Sequence, residues 1–337
     1  MHRYVALALS TALLIGSGSL ALSAAKPEDR RTDAEIEAAT KLQVFLDRAN
    51  FSPGKIDGYY GDFTYKALDL YRQARGEKPA TTAKPGAKGA PDLQGIDLAS
   101  VDPVFTPYIV TEADLAQIGE LPEPVEEKAK LKWLPYVDAV EAIAEKFHSD
   151  RDFIVRLNPG KTENLKVGDE LMVPNVEPFD VDAVKQKKEE AGKKGGKPEP
   201  PPGPVSVEVR SGSNMLEIYE GDQLVAAYPV TIGARDNESP AGDWKVKGVA
   251  LLPDYRHDES MLKEGKRSSD FKILPPGPNN PVGVTWVALD KDGIGLHGTD
   301  DPDSIGRASS HGCVRLANWD IVRILPKVKT GVAVTIR

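Results

Sequence analysis

One cysteine and two histidines stand close together in the C-terminal part of this sequence. Cys313, the sole cysteine, lies in Ser310-His311-Gly312-Cys313-Val314-Arg315-Leu316. His297 stands sixteen positions upstream, in Leu296-His297-Gly298-Thr299. A thiol attacks as thiolate, so it needs a base, and the base needs a partner that holds its ring. Either histidine could serve. Gly312 gives backbone N–H groups a clear approach to a reacting carbonyl, which an oxyanion hole requires. If 311–316 is extended, alternation puts His311, Cys313 and Arg315 on one face and Val314 and Leu316 on the other. One face would do chemistry while the other packs. The same residue types allow two other arrangements. One is a buried structural cysteine with satisfied histidines. The other is a zinc site of His297, His311 and Cys313 with a water, although no carboxylate nearby is placed as its general base. Ser269-Asp270-Phe271-Lys272 and Lys329-Thr330-Gly331 match the S-x-x-K and K-T-G marks of serine penicillin-binding enzymes. They lie only about sixty residues apart with no S-x-N between them, too little chain for that fold.

The elements that must position the cysteine read as β. VSVEV, MLEIYEG, LVAAYPVTIG, DWKVKGVALL, VTWVALD, GIGLHG and VAVTIR are short runs rich in β-branched and aromatic residues. Gly, Asp and Pro separate them. Residues 205–337 therefore read as one mainly-β domain, with Trp319 to Leu325 as its best helix.

The whole chain has 337 residues, enough for two or three domains. Hydrophobic residues make up 40% and charged residues 28%, which excludes wholesale disorder and a multi-span membrane protein. A net charge of −8, from 51 acidic against 43 basic residues, argues against a nucleic-acid partner. A single cysteine excludes a disulfide framework and a multi-cysteine metal site. Residues 1–25 read as a secretory signal. Arg3 is basic, Val5 to Leu22 is apolar, and Ser23-Ala24-Ala25 supplies small residues for cleavage. No cysteine follows to carry a lipoprotein anchor. The expectation is an exported protein of the periplasm or cell wall, with no stable membrane anchor after cleavage and one reactive thiol.

Between signal and β domain the character changes several times. Residues 33–76 read as two helices around Ser52-Pro53-Gly54 and Asp57-Gly58, with Ile36, Ala39, Leu42, Phe45 and Leu46 at helical spacing. Residues 77–95 read as a Pro/Ala/Gly/Lys linker. Residues 96–132, rich in proline, are assigned no function. In 133–176 a short strand at Tyr136-Val137 precedes two helices, a stop at Asn158-Pro159-Gly160 and a strand at Leu171-Met172-Val173-Pro174. His148, between those helices, reads as a solvated turn residue. Residues 183–204 are a charged tract running into polyproline and read as a tether.

Three resemblances follow from these strings. LQVFLDRANFSPGKIDGYYGDFTYKALDLYRQARG resembles the small all-α peptidoglycan-binding domain of wall hydrolases. AEKFHSDRDFIVRLNP…LKVGDELMVPN resembles the α+β LysM glycan-binding module, although YVDAVEAIA lacks its usual Gly-Asp-Ser/Thr. GIGLHGTDDPDSIGRASSHGCVRLANWDIVRIL resembles the catalytic signature of the YkuD-type L,D-transpeptidases. Ser239-Pro240-Ala241-Gly242 resembles the family's Thr-Pro-x-Gly with Ser for Thr, the block from Pro276 to Gly283 matches another family motif, and the likeness covers 205–337. The stretch 254–272 departs from the family's substrate flap in being more charged.

The resemblance implies a multidomain protein whose C-terminal part is a YkuD-like β-sandwich. It implies two acyl transfers. Cys313 attacks the carbonyl before the terminal D-Ala of a tetrapeptide stem, and an amine then takes the acyl group from the thioester. His297 would be the base, oriented by the Gly298 carbonyl. Gly312 and Cys313 N–H groups would form the oxyanion hole. His311, Ser310, Arg315 and Tyr255 would serve substrate binding. Carbapenems would acylate the same thiol. The implied partners are stem peptides and glycan strands of peptidoglycan, and no metal or cofactor is required. Transfer to a wall-anchored lipoprotein's lysine, transfer to water, or a non-catalytic wall-binding role are the alternatives.

Overall fold

The computed structural model describes residues 31–78, 89–193, 203–233, 241–307 and 313–337. The expected signal sequence, Ser239-Pro240, Ser310, His311 and Gly312 lie outside them. Among the described residues, no helix is long and apolar enough to cross a membrane.

The N-terminal helical spacing becomes α1 (Asp33–Arg48) and α2 (Asp62–Ala74). Ile36, Ala39, Leu42 and Leu46 form the buried stripe of α1. Acidic residues in the first turn of α1 and Arg48 in its last complement the helix dipole. Strand β1 (Phe105–Ile109), α3 (Glu112–Ala116) and α4 (Val125–Lys128) follow. Next come α5 (Ala139–Lys146), α6 (Arg151–Leu157), β2 (Glu170–Pro174) and α7 (Val181–Lys193). Asp138 and Asp150 cap α5 and α6 by accepting backbone N–H bonds.

Three expectations for this half are corrected. The strand expected at Tyr136-Val137 is a single bridge from Tyr136 to Ile118. The partner of β2 is β1, from the stretch assigned no function. The segment expected as a tether from 183 begins as helix α7, because Val181 and Val184 are buried. Residues 92–94 of the first expected linker also dock, since Arg72 donates to the carbonyls of Asp92 and Gln94.

The C-terminal part contains β3 (Val205–Arg210), β4 (Met215–Glu220), β5 (Gln223–Pro229) and β6 (Gly242–Leu251). A flap of β7 (Tyr255–His257), α8 (Glu259–Glu264) and β8 (Lys272–Leu274) follows. Then come β9 (Thr285–Leu289), β10 (Gly295–His297), β11 (Val314–Arg315), α9 (Asn318–Ile324) and β12 (Ala333–Ile336). Instead of a two-sheet sandwich, eight strands form one curled sheet in the order β11-β10-β9-β6-β12-β3-β4-β5. The cause is β6. Its first half pairs with β12, its second with β9, and a bulge near Val246–Gly248 bends it between them. Val207, Ile218 and Tyr228 from one half of the curl meet Val287, Leu296 and Val314 from the other, and Ile321 and Ile324 of α9 plug the core.

The edge strand β5 is covered rather than open. Phe51 bridges Ala227 in parallel, the Ala227 N–H donates to the Asn50 carbonyl at 2.9 Å, and the Ser52 N–H donates to the Ala227 carbonyl at 2.8 Å. Leu42, Leu46, Phe51 and Leu68 share a core with Met215, Leu224 and Ala227. Burial of such side chains contributes roughly 1.5–3 kcal/mol each, so α1 and α2 are fixed to the sheet.

Candidate active site

Register sets the site. Strands β10 and β11 run parallel with Leu296 opposite Val314 and His297 opposite Arg315. Leu296 and Val314 point into the core and are fully buried. His297 and Arg315 therefore face the other way, with Cys313 one alternation before Arg315. Gly295 has no side chain to fill the space between. A Cβ there would lie 2.8 Å from the Trp286 ring and 2.6 Å from the Val287 carbonyl. Its absence lets Trp286 stack on His297, with ring centroids 5.2 Å apart and planes at 17°.

His297 is 5% exposed, and its Nδ1 lies 2.6 Å from the Gly298 carbonyl oxygen. A nitrogen facing a carbonyl must carry the proton, so the neutral ring keeps its lone pair on Nε2. Burial holds the His297 pKa at about 4; the Gly298 carbonyl opposes this and the Arg315 charge adds to it. The ring is thus an unprotonated acceptor at neutral pH. Burial also pushes the Cys313 thiol upward, with the Gly295 N–H and Arg315 pulling the other way. The resting pair is therefore neutral thiol and neutral imidazole.

Cys313, His297, Arg315 and Tyr255 line one cavity of about 450 Å³, together with Trp286 and Met261. Gly298 stands behind His297. The flap forms one wall. Asp258 organises it by accepting the Met261 and Ser268 N–H groups, the Ser268 hydroxyl and a bond from Arg256. Arg256 also lies 3.6 Å from the Phe271 ring centroid. The charges that set 254–272 apart are thus partly satisfied inside the flap. Burial, then the nearby Cys313, raises the Tyr255 phenol pKa, leaving it a neutral hydrogen-bonding group.

Several positioning groups carried no local signal in the sequence. Thr231 exchanges two 3.0 Å backbone bonds with Arg315, while its hydroxyl donates to the Ser304 carbonyl and accepts the Gly306 N–H. It ties the strand carrying Cys313 to the Ser304-Ile305-Gly306-Arg307 turn. Gly306 has φ +73°, and a Cβ on it would strike the Phe63 ring at 2.3 Å. Gly283, at φ +60°, packs against Gly298; a Cβ on it would lie 2.6 Å from Gly298. The Pro276–Gly283 motif thus keeps Gly298 in place.

The family model described as YkuD, L,D-transpeptidase catalytic domain, matches residues 204–336. Those residues are an L,D-transpeptidase catalytic domain. The chain is similar to a Bacillus licheniformis protein named as the L,D-transpeptidase YkuD. Identity is 25% over 200 residues, covering 59% of this chain and 93% of that one. It is similar to Bacillus subtilis YqjB, also named as an L,D-transpeptidase, at 29% over 142 residues, 41% of this chain and 73% of that one. A Fuscovulum blasticum relative with the same designation is 37% identical over 116 residues, 34% of this chain and 59% of that one. The protein is an L,D-transpeptidase enzyme, and the curled sheet is its catalytic domain.

Proposed function

We propose that this L,D-transpeptidase is exported and remodels peptidoglycan through a thioester on Cys313. The observation that carries the reading is the half-buried Cys313 and buried His297 in one cavity, with Nδ1 of His297 committed to the Gly298 carbonyl. His297 Nε2 takes the thiol proton as sulfur bonds to the carbonyl carbon before the terminal D-Ala of a tetrapeptide stem. The oxyanion is met by backbone N–H groups of Gly312 and Cys313. The C–N bond then breaks, and the departing D-Ala amine takes the proton back from His297. An acceptor amine attacks the thioester, giving its proton to His297, and the sulfur leaves to be reprotonated. Arg315 and Tyr255 line the cavity as substrate contacts, and Ser310 and His311 are proposed as further substrate-binding residues from the sequence motif. Residues 33–76 and 133–176 serve as wall-binding parts of the same molecule. Export rests on the charge and apolar pattern of residues 1–25. The test is incubation with a disaccharide-tetrapeptide, with and without an acceptor amine, read by mass spectrometry. A cross-linked product that needs the amine and vanishes in Cys313→Ala is expected. Loss of D-Ala undiminished in Cys313→Ala overturns the mechanism.

A further inference from the structure

Helix α5 lies outside the transpeptidase domain, yet one of its side chains ends next to the support of the catalytic histidine. Glu145 is 8% exposed, and its carboxylate is satisfied from two sides. Tyr136 Oη donates to Oε2, and Asn318 Nδ2 donates to Oε1 at 2.8 Å. Asn318, at the start of α9, uses its other end inside the transpeptidase domain. Its Oδ1 accepts the Val284 N–H at 3.0 Å. That same oxygen fills the notch between Gly283 and Gly298, where a Cβ on either glycine would lie 2.1 or 2.2 Å from it. The Gly298 carbonyl then receives Nδ1–H of His297.

We infer that Glu145 is a positioning residue for His297, acting through the amide of Asn318 and the Gly283–Gly298 contact. The inference rests on the reading of His297 as base. The physical argument is that a buried amide can be held in either of two orientations. Only one puts Oδ1 against the Val284 N–H and a donor against an acceptor. Burial raises the Glu145 pKa to about 7, but with or without a proton on Oε2 the carboxyl keeps Oε1 as an acceptor, and that acceptor selects the orientation. With Glu145 removed, Nδ2 retains the Pro278 carbonyl at 3.3 Å, a poorer partner. The amide can then turn or shift, and Gly298 follows it. A histidine base displaced by a fraction of an ångström loses its line to the thiol. The transpeptidase domain thus borrows part of its rigidity from a side chain 173 positions before Asn318, on a helix outside it.

The experiment measures acylation of Cys313 by tetrapeptide in the full chain carrying Glu145→Ala, Glu145→Gln, Glu145→Leu or His297→Ala. Glutamine can still accept from Asn318 while offering its amide to the Tyr136 oxygen. The expected result is that alanine and leucine lower kcat about 10- to 100-fold with little change in KM, and that glutamine restores it to within a few-fold. The ¹⁵N-detected Nδ1–H signal of His297, sharp in the wild type and in Glu145→Gln, should broaden or shift in the alanine and leucine variants. Leucine fills the space without the acceptor, so it keeps the comparison if alanine fails to fold. Folded alanine or leucine variants with wild-type kcat and an unchanged His297 signal overturn the inference. If His297→Ala is inert in that same experiment, the base reading survives alone. If His297→Ala acylates at the wild-type rate, the base reading falls and takes the inference with it.

Discussion

Two buried histidines of this chain share almost every local feature and differ in one. His297 and His148 are 5% and 2% exposed. Each stacks on a tryptophan, Trp286 in one case and Trp319 in the other, with centroids 5.2 and 5.5 Å apart. Each ties down its Nδ1. The partner of His297 is the neutral Gly298 carbonyl, and the partner of His148 is the Asp47 carboxylate at 3.0 Å. A carbonyl orients a ring without adding a charge of its own; burial keeps the ring neutral, and its far nitrogen can accept. A carboxylate joins its histidine to an ionic cluster, here with Arg323 at 2.8 Å. One histidine faces a thiol across a cavity. The other helps close the contact between α1, α5 and α9. On the proposed reading of His297, the polarity of a single Nδ1 partner separates a base from a structural clamp.

Substitution breaks this comparison most directly. His297→Ala should lower acylation by carbapenem or tetrapeptide by a factor on the order of 10²–10⁴, read by intact mass against time. His148→Ala should leave the acylation rate of folded protein within a few-fold and lower the urea midpoint instead. Equal losses of acylation in both would erase the distinction. The pH profile sharpens it. Because burial holds His297 at about 4, its base form persists well below the ordinary histidine range. The acylation rate should stay nearly level from pH 7 to 5 and fall as His297 is protonated near 4. A half-maximal point near 6.5 would mean that the ring is not shielded as the fold implies.

The clamp is tested at Asp47. Burial alone would raise its pKa, yet His148 and Arg323 outweigh that and bring it to about 2. Asp47→Asn leaves the Arg323 guanidinium without its charged partner and should cost about 3 kcal/mol of stability at neutral pH. The sign follows from linkage. A carboxylate depressed in the fold stabilises it above the unfolded pKa near 4, and that contribution is lost as pH falls toward 2. The stability gap between wild type and Asp47→Asn should therefore narrow in acid. A gap that is constant from pH 7 to 3 rules out the charge as its source.

Legibility in the sequence divides along the same line. The β runs of the transpeptidase domain were readable because alternation is local, and β3, β4 and β9 fall where the runs do. Cys313 and His297 were readable as a pair because a thiol and an imidazole are few in this chain. What lay beyond reading was long-range. His148 looks like a solvated turn residue until Asp47, about a hundred positions earlier, is brought beside it. Residues 105–109 contain Pro107, a residue that weakens any strand pattern, but a two-stranded sheet has only edges and tolerates it. The charged run after Val184 hides the two valines that anchor α7. Trp286 and Thr231 had no motif, and Asn318, although inside the quoted signature, showed no role there, since each matters through a partner distant in sequence.

The smallest effect is expected at Asp320, and its sign is the opposite of that at Asp47. Asp320 is 1% exposed and accepts the Ser52 hydroxyl at 3.0 Å. Its nearest cation, Arg323, is 3.9 Å away and already engaged by Asp47. Burial, opposed by Arg323 and reinforced by Asp47, raises its pKa to about 8. An unfolded aspartate releases its proton near 4. Between those values the folded chain binds more protons than the unfolded one, so this group makes stability decline as pH rises. Asp320→Asn keeps an oxygen for Ser52 and removes the titration. Relative to wild type, the variant should gain on the order of 1–2 kcal/mol between pH 5 and 6, read from urea unfolding at each pH. His297 and Glu145 also titrate in or near this window, and the difference between the two proteins cancels them. Parallel stability curves would show that Asp320 is already ionised inside the clamp, and the two carboxylates would then have to share Arg323.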